Sequence, residues 1–359
     1  VWPSTGNYCR GGAYDSALLA CDSIAILPEE MSQERFDWLS KISGEVIATP
    51  GCESNVKEIF DKCHELTATR GDDIFIFNQF DEFGNYLWHY DITGHAMEEI
   101  LAREMRPGDR YAGVVSNTGS GGTIACGDYL KQQFPGSKVV ASEALQCPTL
   151  LMNGFGGHRI EGIGDKHVPW IHNVKSTDIV TAIDDQAAID LIRLFNEPVG
   201  QAYLKSRGVP SIFVEQLPLM GISSVANVLA AIKMAKWYEL TGKDIILTVW
   251  TDSMELYQSR IQELREKYGR YTELDAAADY ERYLLGQTVD FLAELSYQDR
   301  KRIHNLKYYT WVEQQNKTYA EIQNQWYQED YWTGVQSQVD HIDALITEFN
   351  ERVGLLSSP

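Results

Sequence analysis

The run Val114-Val115-Ser116-Asn117-Thr118-Gly119-Ser120-Gly121-Gly122-Thr123 constrains the fold more than any other stretch of this chain. A hydrophobic strand, Tyr111 to Val115, enters a turn of small residues, and a helical pattern from Ile124 to Phe134 leaves it. Three glycines let the backbone pass close to a ligand, and the free N–H groups of a first helical turn attract an anion. The turn therefore suits a phosphate, or else a tight strand-to-helix reversal. It lacks the dinucleotide fingerprint, because Ile124 stands where Gly or Ala is wanted, and it lacks the Gly-Lys-Ser/Thr of a P-loop.

The same alternation recurs. Strand-like runs fall at Ser23–Leu27, Glu45–Thr49, Ile74–Phe77, Tyr111–Val115, Lys138–Ser142 and Ile245–Val249. Helical periodicities lie between them at Gly11–Cys21, Ser32–Ser40, Glu53–Thr69, Ala96–Met105, Ile124–Phe134, Asp178–Asn196 and Ser223–Leu240. Strands alternating with helices of this length predict an α/β chain with parallel sheets. From about Thr251 the strand signals cease. Ser253–Tyr268, Leu274–Leu295, Tyr297–Gln315, Tyr319–Tyr327 and Val335–Val353 read as helices rich in Tyr, Trp, Glu and Gln. The expected organisation is a smaller α/β domain over 1–106, a larger one over 107–268, and a helical extension over 269–359.

Charge narrows the partners. With 31 Lys and Arg against 51 Asp and Glu the net charge is −20, which argues against nucleic acid and anionic membrane surfaces. No apolar run approaches the roughly 18 residues of a membrane span. The cysteines, Cys9, Cys21, Cys52, Cys63, Cys126 and Cys147, contain no C-x-x-C pair and read as reduced thiols of a cytoplasmic protein. His89 and His95 stand near Asp91 on an expected loop, without the i+4 ligand partner of a metal site, so no metal is assigned. His304 falls in an aromatic helix and reads as packing.

Other small-residue turns accompany the first: Ser4-Thr5-Gly6-Asn7 before a helix, Gly162-Ile163-Gly164, and Gly221-Ile222-Ser223-Ser224 before another helix. Their order and spacing resemble the fold-type II pyridoxal-phosphate enzymes of the cysteine synthase and cystathionine β-synthase family. Ser4–Asn7 resembles that family's asparagine loop, and Ile26-Leu27-Pro28-Glu29-Glu30-Met31-Ser32 resembles its Met-Pro-x-x-Met-Ser segment. Asn78-Gln79-Phe80 resembles Gln-Gln-Phe, and Gly119–Thr123 matches Gly-Thr-Gly-Gly-Thr. His158-Arg159-Ile160-Glu161-Gly162-Ile163-Gly164 resembles His-Lys-Ile-Gln-Gly-Ile-Gly, and Gly221–Ser224 matches Gly-Ile-Ser-Ser. The likeness runs from Ser4 to Arg260.

The resemblance implies pyridoxal 5′-phosphate as cofactor. Its phosphate would lie on Gly119, Ser120, Gly121, Gly122 and Thr123, its ring oxygen on Asn7, and its ring nitrogen at Ser223. Ser4, Thr5 and Gln79 would take the substrate carboxylate. The implied activity is β-replacement on an activated serine through an aminoacrylate, by a homodimer acting on a small amino acid. The alternatives are a β-elimination lyase, of cysteine desulfhydrase or serine/threonine ammonia-lyase type, and a non-catalytic binding protein. Two departures stand out. After Asn7 the chain reads Tyr8-Cys9-Arg10 where the family has Thr-Gly, which points either to a changed substrate or to packing. The family's Schiff-base lysine precedes the asparagine loop, where this sequence has Val1-Trp2-Pro3; Lys131, Lys138 and Lys166 sit in no matching motif. The lysine is expected upstream of residue 1, with a lysine from another chain or a lysine-free relative as alternatives.

Overall fold

The computed structural model describes residues 1–4 and 6–354, and within them two sheets carry the architecture. Strands β1 (Trp2–Pro3), β2 (Ile24–Pro28) and β3 (Glu45–Thr49) form a parallel sheet in that order. Strands β4 (Arg110–Asn117), β5 (Lys138–Ala144), β6 (Ile179–Ile183), β7 (Asp244–Thr248) and β8 (Leu292–Glu294) form a second sheet in the order β7-β4-β5-β6-β8. In this second sheet only the β6–β8 pair is antiparallel.

The second sheet is covered on both faces, so its central strands are apolar along their length rather than alternating. One face packs Val115, Val140, Ile179 and Ile183 against Ile189 and Ile192 of helix Asp185–Asn196 and Val225, Leu229 and Met234 of helix Ile222–Trp237. The other packs Val114, Val139 and Val180 against Leu101, Leu130 and Ile303, which come from helices Gly94–Glu104, Ala125–Gln133 and Tyr297–Asn305. The order of strands changes direction at β4, so its C-terminal end opens a crevice of the kind where open α/β sheets bind ligands. Asn117 and the glycine turn sit there.

Where the sequence misleads, the structure supplies physical causes. Helix Asp185–Asn196 begins seven residues later than its periodicity predicts, because Ile179–Ile183 is a strand buried throughout. A continuous apolar run fits both helix and strand, and the β-branched Ile, Val and Thr decide for the strand. Asp184 then caps the helix by accepting the Gln186 N–H at 3.0 Å. Leu274–Leu295 is not one helix. It divides into Glu273–Asp279, a wider helical turn over Tyr280–Leu285, and β8, which pairs Thr181 with Leu292. The tail thus supplies an edge strand to the main sheet. Ile74–Phe77 carries no strand, although its backbone brackets Val1 through Val1 N–H to Phe75 O and Phe77 N–H to Val1 O at 2.7 and 2.9 Å.

Beyond β8 the tail packs its aromatic side chains onto the rest of the molecule. Trp311, fully buried, donates its indole N–H to Val168 O at 2.8 Å and joins Phe60, Phe80, Tyr86, Trp170, Ile322 and Trp332 in one cluster. The buried Lys307 ammonium donates to Trp170 O, His172 O and Gln325 Oε1 at 2.7, 2.9 and 2.7 Å. His304 is a packing residue, as its aromatic context suggests. Its Nε2 meets Ile322 O at 3.0 Å, and burial lowers its pKa to about 3.

Candidate active site

Gly162 is the point on which the motifs converge. Its backbone is left-handed (φ +96°), and a Cβ placed there would lie 3.9 Å from both Asn7 Nδ2 and Ser223 Oγ. A side chain would be strained by the backbone and would enter the space those two groups share. Gly119 closes the same space from below, since a Cβ on it would stand 3.0 Å from Gly162 O. Gly164 N–H donates to Thr118 O at 2.7 Å, which pins the Gly162–Gly164 turn to the end of β4. Four stretches distant in sequence, at Asn7, Gly119, Gly162 and Ser223, thus meet within one small volume.

The glycine turn is held from behind. Asn85 donates its carboxamide to Ser120 Oγ at 2.8 Å and to Gln79 O at 2.9 Å, tying the Gln79 segment to the turn. Gly122 lies so close to that carboxamide that a Cβ would fall 2.3 Å from its oxygen, and a Cβ on Gly121 would press on His172 Cβ at 3.1 Å. Helix Ala125–Gln133 starts immediately afterwards and directs the positive end of its dipole at the turn. Thr123 O accepts the Cys126 N–H at 3.3 Å, so Thr123 belongs to the helix entry.

Asn7 opens helix Asn7–Leu18, directly after β1. Its Nδ2 donates to Asp252 Oδ2 at 2.8 Å, while its Oδ1 is buried with no partner among the described residues. Ser4 is buried and accepts the Gly6 N–H at 2.9 Å. Gln79 is buried, and Thr5 lies outside the described residues. Ser223 is buried at the start of its helix, and its carbonyl accepts Asn117 Nδ2 at 2.6 Å. That bond, with Asn227 Oδ1 accepting the Asn117 N–H at 2.8 Å, fixes the Ser223 turn to the tip of β4.

Sequence motifs did not reveal the charged cluster beneath these residues. Arg35, fully buried, donates Nη1 to Ser32 Oγ at 3.1 Å and to Glu161, and Nη2 to Tyr257 Oη and Asp252 Oδ2 at 2.6 and 3.2 Å. Burial pulls its pKa down, but Tyr257, Glu161 and Asp252 outweigh that and raise it. Arg260 supplies a second cation to Glu161 at 2.7 Å. Glu161 stands where the resembled motif has Gln, and Arg35 and Arg260 together neutralise the added carboxylate. Asp252 could have been found only by recognising that Asp252–Arg260 continues the family likeness. Asp165, next to Gly164, was also missed; burial pushes its carboxyl up to about 8, and Oδ2 has no partner among the described residues.

The Tyr8-Cys9-Arg10 departure resolves as packing. The Cys9 thiol is fully buried, donates to Gly6 O at 3.0 Å, and is pushed up to about 12 by burial, so it is no nucleophile. Arg10 lies over the Trp38 ring at 4.7 Å, and the Tyr8 ring meets Trp2 edge-on at 5.4 Å. Glu143, near the end of β5, accepts the N–H groups of Leu150 and Leu151 at 2.9 and 2.8 Å. His89 and His95 lie in helical turns rather than a loop, bonded to Thr93 Oγ1 and Asp91 O.

Among the described residues no lysine hydrogen-bonds to Asn7 or Ser223. Lys131 is held by Asp178 at 2.6 Å, Lys138 lies 3.7 Å from Glu294, and Lys166 reaches Asn55 at 3.4 Å. A groove of about 1210 Å³, lined by Leu18, Leu19, Phe75 and Phe77, opens at the N-terminal ends of β1, β2 and β3, and its lining includes none of these residues.

The cradle fits a planar phosphorylated ring by its own geometry. A turn at a helix start can receive an anion, a buried carboxamide oxygen has no partner among the described residues, a hydroxyl lies near the same space, and a glycine leaves that space clear. Comparison with known proteins agrees. Residues 1–203 match the family described as pyridoxal-phosphate dependent enzyme. A cysteine synthase of Staphylococcus aureus (strain Mu50) is 30% identical over 260 residues, covering 72% of this chain and 75% of the relative. Among solved structures, O-acetyl serine sulfhydrylase isoform 3 of Entamoeba histolytica aligns with TM-score 0.61 and 26% identity, over 79% of this chain and 75% of that one. A hydrogen sulfide-producing enzyme of Fusobacterium nucleatum aligns with TM-score 0.58 and 26% identity, over 71% and 77%. The chain belongs to the fold-type II pyridoxal-phosphate dependent enzymes, in the cysteine synthase family.

Proposed function

We propose that this protein performs β-replacement on an O-activated serine, with cysteine or an analogue as product. The observation that supports this most is the convergence of Asn7, Ser223 and the Gly119 turn on Gly162. Bound pyridoxal phosphate supplies an electron sink for carbanion chemistry at the amino-acid Cα. The amides and hydroxyls of Gly119, Ser120, Gly121, Gly122 and Thr123 hold the phosphate, and Asn7 donates to the ring oxygen. Ser223 presents a hydroxyl to the ring nitrogen; unlike a carboxylate, it does not keep a proton there, which favours loss of the β-substituent. Ser4, Thr5 and Gln79 bind the substrate carboxylate, and their loops exclude water once closed. Residues 1–106 and 107–268 would form the two domains on either side of the site, with 269–359 as the extension. We take the protein to act as a cytoplasmic homodimer on small amino acids.

The likeness to the hydrogen sulfide-producing enzyme favours β-elimination as the second reading. Product analysis separates the two. With pyridoxal phosphate and O-acetylserine, sulfide-dependent cysteine is expected. Pyruvate at the same rate with or without sulfide would establish the lyase, and neither product from a cofactor-loaded protein would leave a binding protein.

A further inference from the structure

Asn7 has two amide N–H groups, and among the described residues one hydrogen bond uses them: Nδ2 donates to Asp252 Oδ2 at 2.8 Å. That carboxylate oxygen also accepts from Tyr257 Oη at 2.7 Å and Arg35 Nη2 at 3.2 Å. Arg35 is itself fixed by Glu161, Ser32 and the Tyr257 ring at 4.9 Å, so Asp252 cannot swing away without breaking a buried ionic network. The Asp252 side chain is 3% exposed, and its second oxygen, Oδ1, has no partner among the described residues. Gly221 is shaped around that oxygen. A Cβ on Gly221 would fall 1.9 Å from Oδ1, and its N–H donates to Asp252 O at 2.9 Å. One residue therefore touches both the Asn7 carboxamide and the turn that carries Ser223.

An amide is planar, so anchoring one N–H fixes the direction of the other. Nδ2 faces the Gly162 space from 3.9 Å. We propose that Asp252 is the positioning residue of the site: it holds the Asn7 carboxamide so that the free N–H points at the ring oxygen of the cofactor, with Arg35 and Tyr257 locking Asp252 in place. The proposal rests on the cofactor site described above. Its logic is that of an outer partner orienting an inner ligand, in which the outer group acts only through the inner one.

A double-mutant cycle on cofactor affinity tests it. Pyridoxal phosphate is titrated by fluorescence into the wild type, Asn7→Ala, Asp252→Ala and the double variant. Each single change is expected to weaken binding about tenfold, the size of one oriented hydrogen bond. The double variant should bind no more weakly than Asn7→Ala, because Asp252 has nothing left to orient. Asp252→Asn, which keeps an acceptor, should recover part of the loss. Additive effects, about a hundredfold in the double variant, would overturn the proposal, as would unchanged affinity in Asp252→Ala. If Asp252→Ala does not fold, Tyr257→Phe replaces it. That change keeps the ring over Arg35 and should weaken binding about threefold only where Asn7 is present; equal weakening in both backgrounds would overturn the proposal. A wild type that binds no pyridoxal phosphate would overturn the cofactor site itself, a result distinct from every other outcome.

Discussion

Arg35→Ala is expected to lower unfolding stability by about 3–5 kcal/mol, the usual cost of removing one partner from a buried ion pair. The substitution leaves Asp252 without its cation and Glu161 with only Arg260, both carboxylates being at most 4% exposed. Arg35→Lys should not rescue it, since one ammonium cannot span Glu161 on one side and Asp252 with Tyr257 on the other. Urea unfolding followed by tryptophan fluorescence measures the loss. A change below about 1 kcal/mol, the range of exposed pairs, would mean that water reaches the network.

Trp311→Ala should be comparably severe, about 3–5 kcal/mol, by the cavity term for a large buried aromatic side chain. It also leaves Val168 O without its indole donor. The consequence reaches further than packing, because Val168, Trp170 and His172 lie on the segment that backs the glycine turn, with His172 Cβ against Gly121. The tail is therefore expected to unfold together with the sheet rather than before it. A single transition in both denaturant and thermal melts would show this. An early separate transition, with the Trp311 substitution moving only that one, would mean that the tail is an independent appendage.

The parts of the molecule that sequence alone revealed are those written in local code. The strand, glycine turn and helix around Gly119 appear where the residue types place them, as do β3 and the helix Tyr319–Tyr327. The fold class and cofactor followed from the order of the motifs. What was illegible depends on contacts distant in sequence. β8 has three residues, too few for any period, and exists because β6 offers it an edge. Asn85 carries no signature, yet it links Gln79 to Ser120. Asp252 lies 245 positions from Asn7, and only the fold brings them together. Cys9 illustrates the converse: a thiol beside the Ser4–Asn7 motif invites a chemical reading in sequence, and its burial marks it as packing.

The central claim is that Gly119–Thr123 grips a phosphate whose ring lies between Asn7 and Ser223. Equilibrium titration of the protein with pyridoxal phosphate and with pyridoxal, which lacks the phosphate, tests it most directly. The account predicts that the phosphorylated form binds at least about a hundredfold more tightly, roughly 2.7 kcal/mol. It also predicts that Gly122→Ala, which drives a methyl into the Asn85 carboxamide, removes most of that difference. Equal affinity for the two ligands, or a preference that survives Gly122→Ala unchanged, would contradict it.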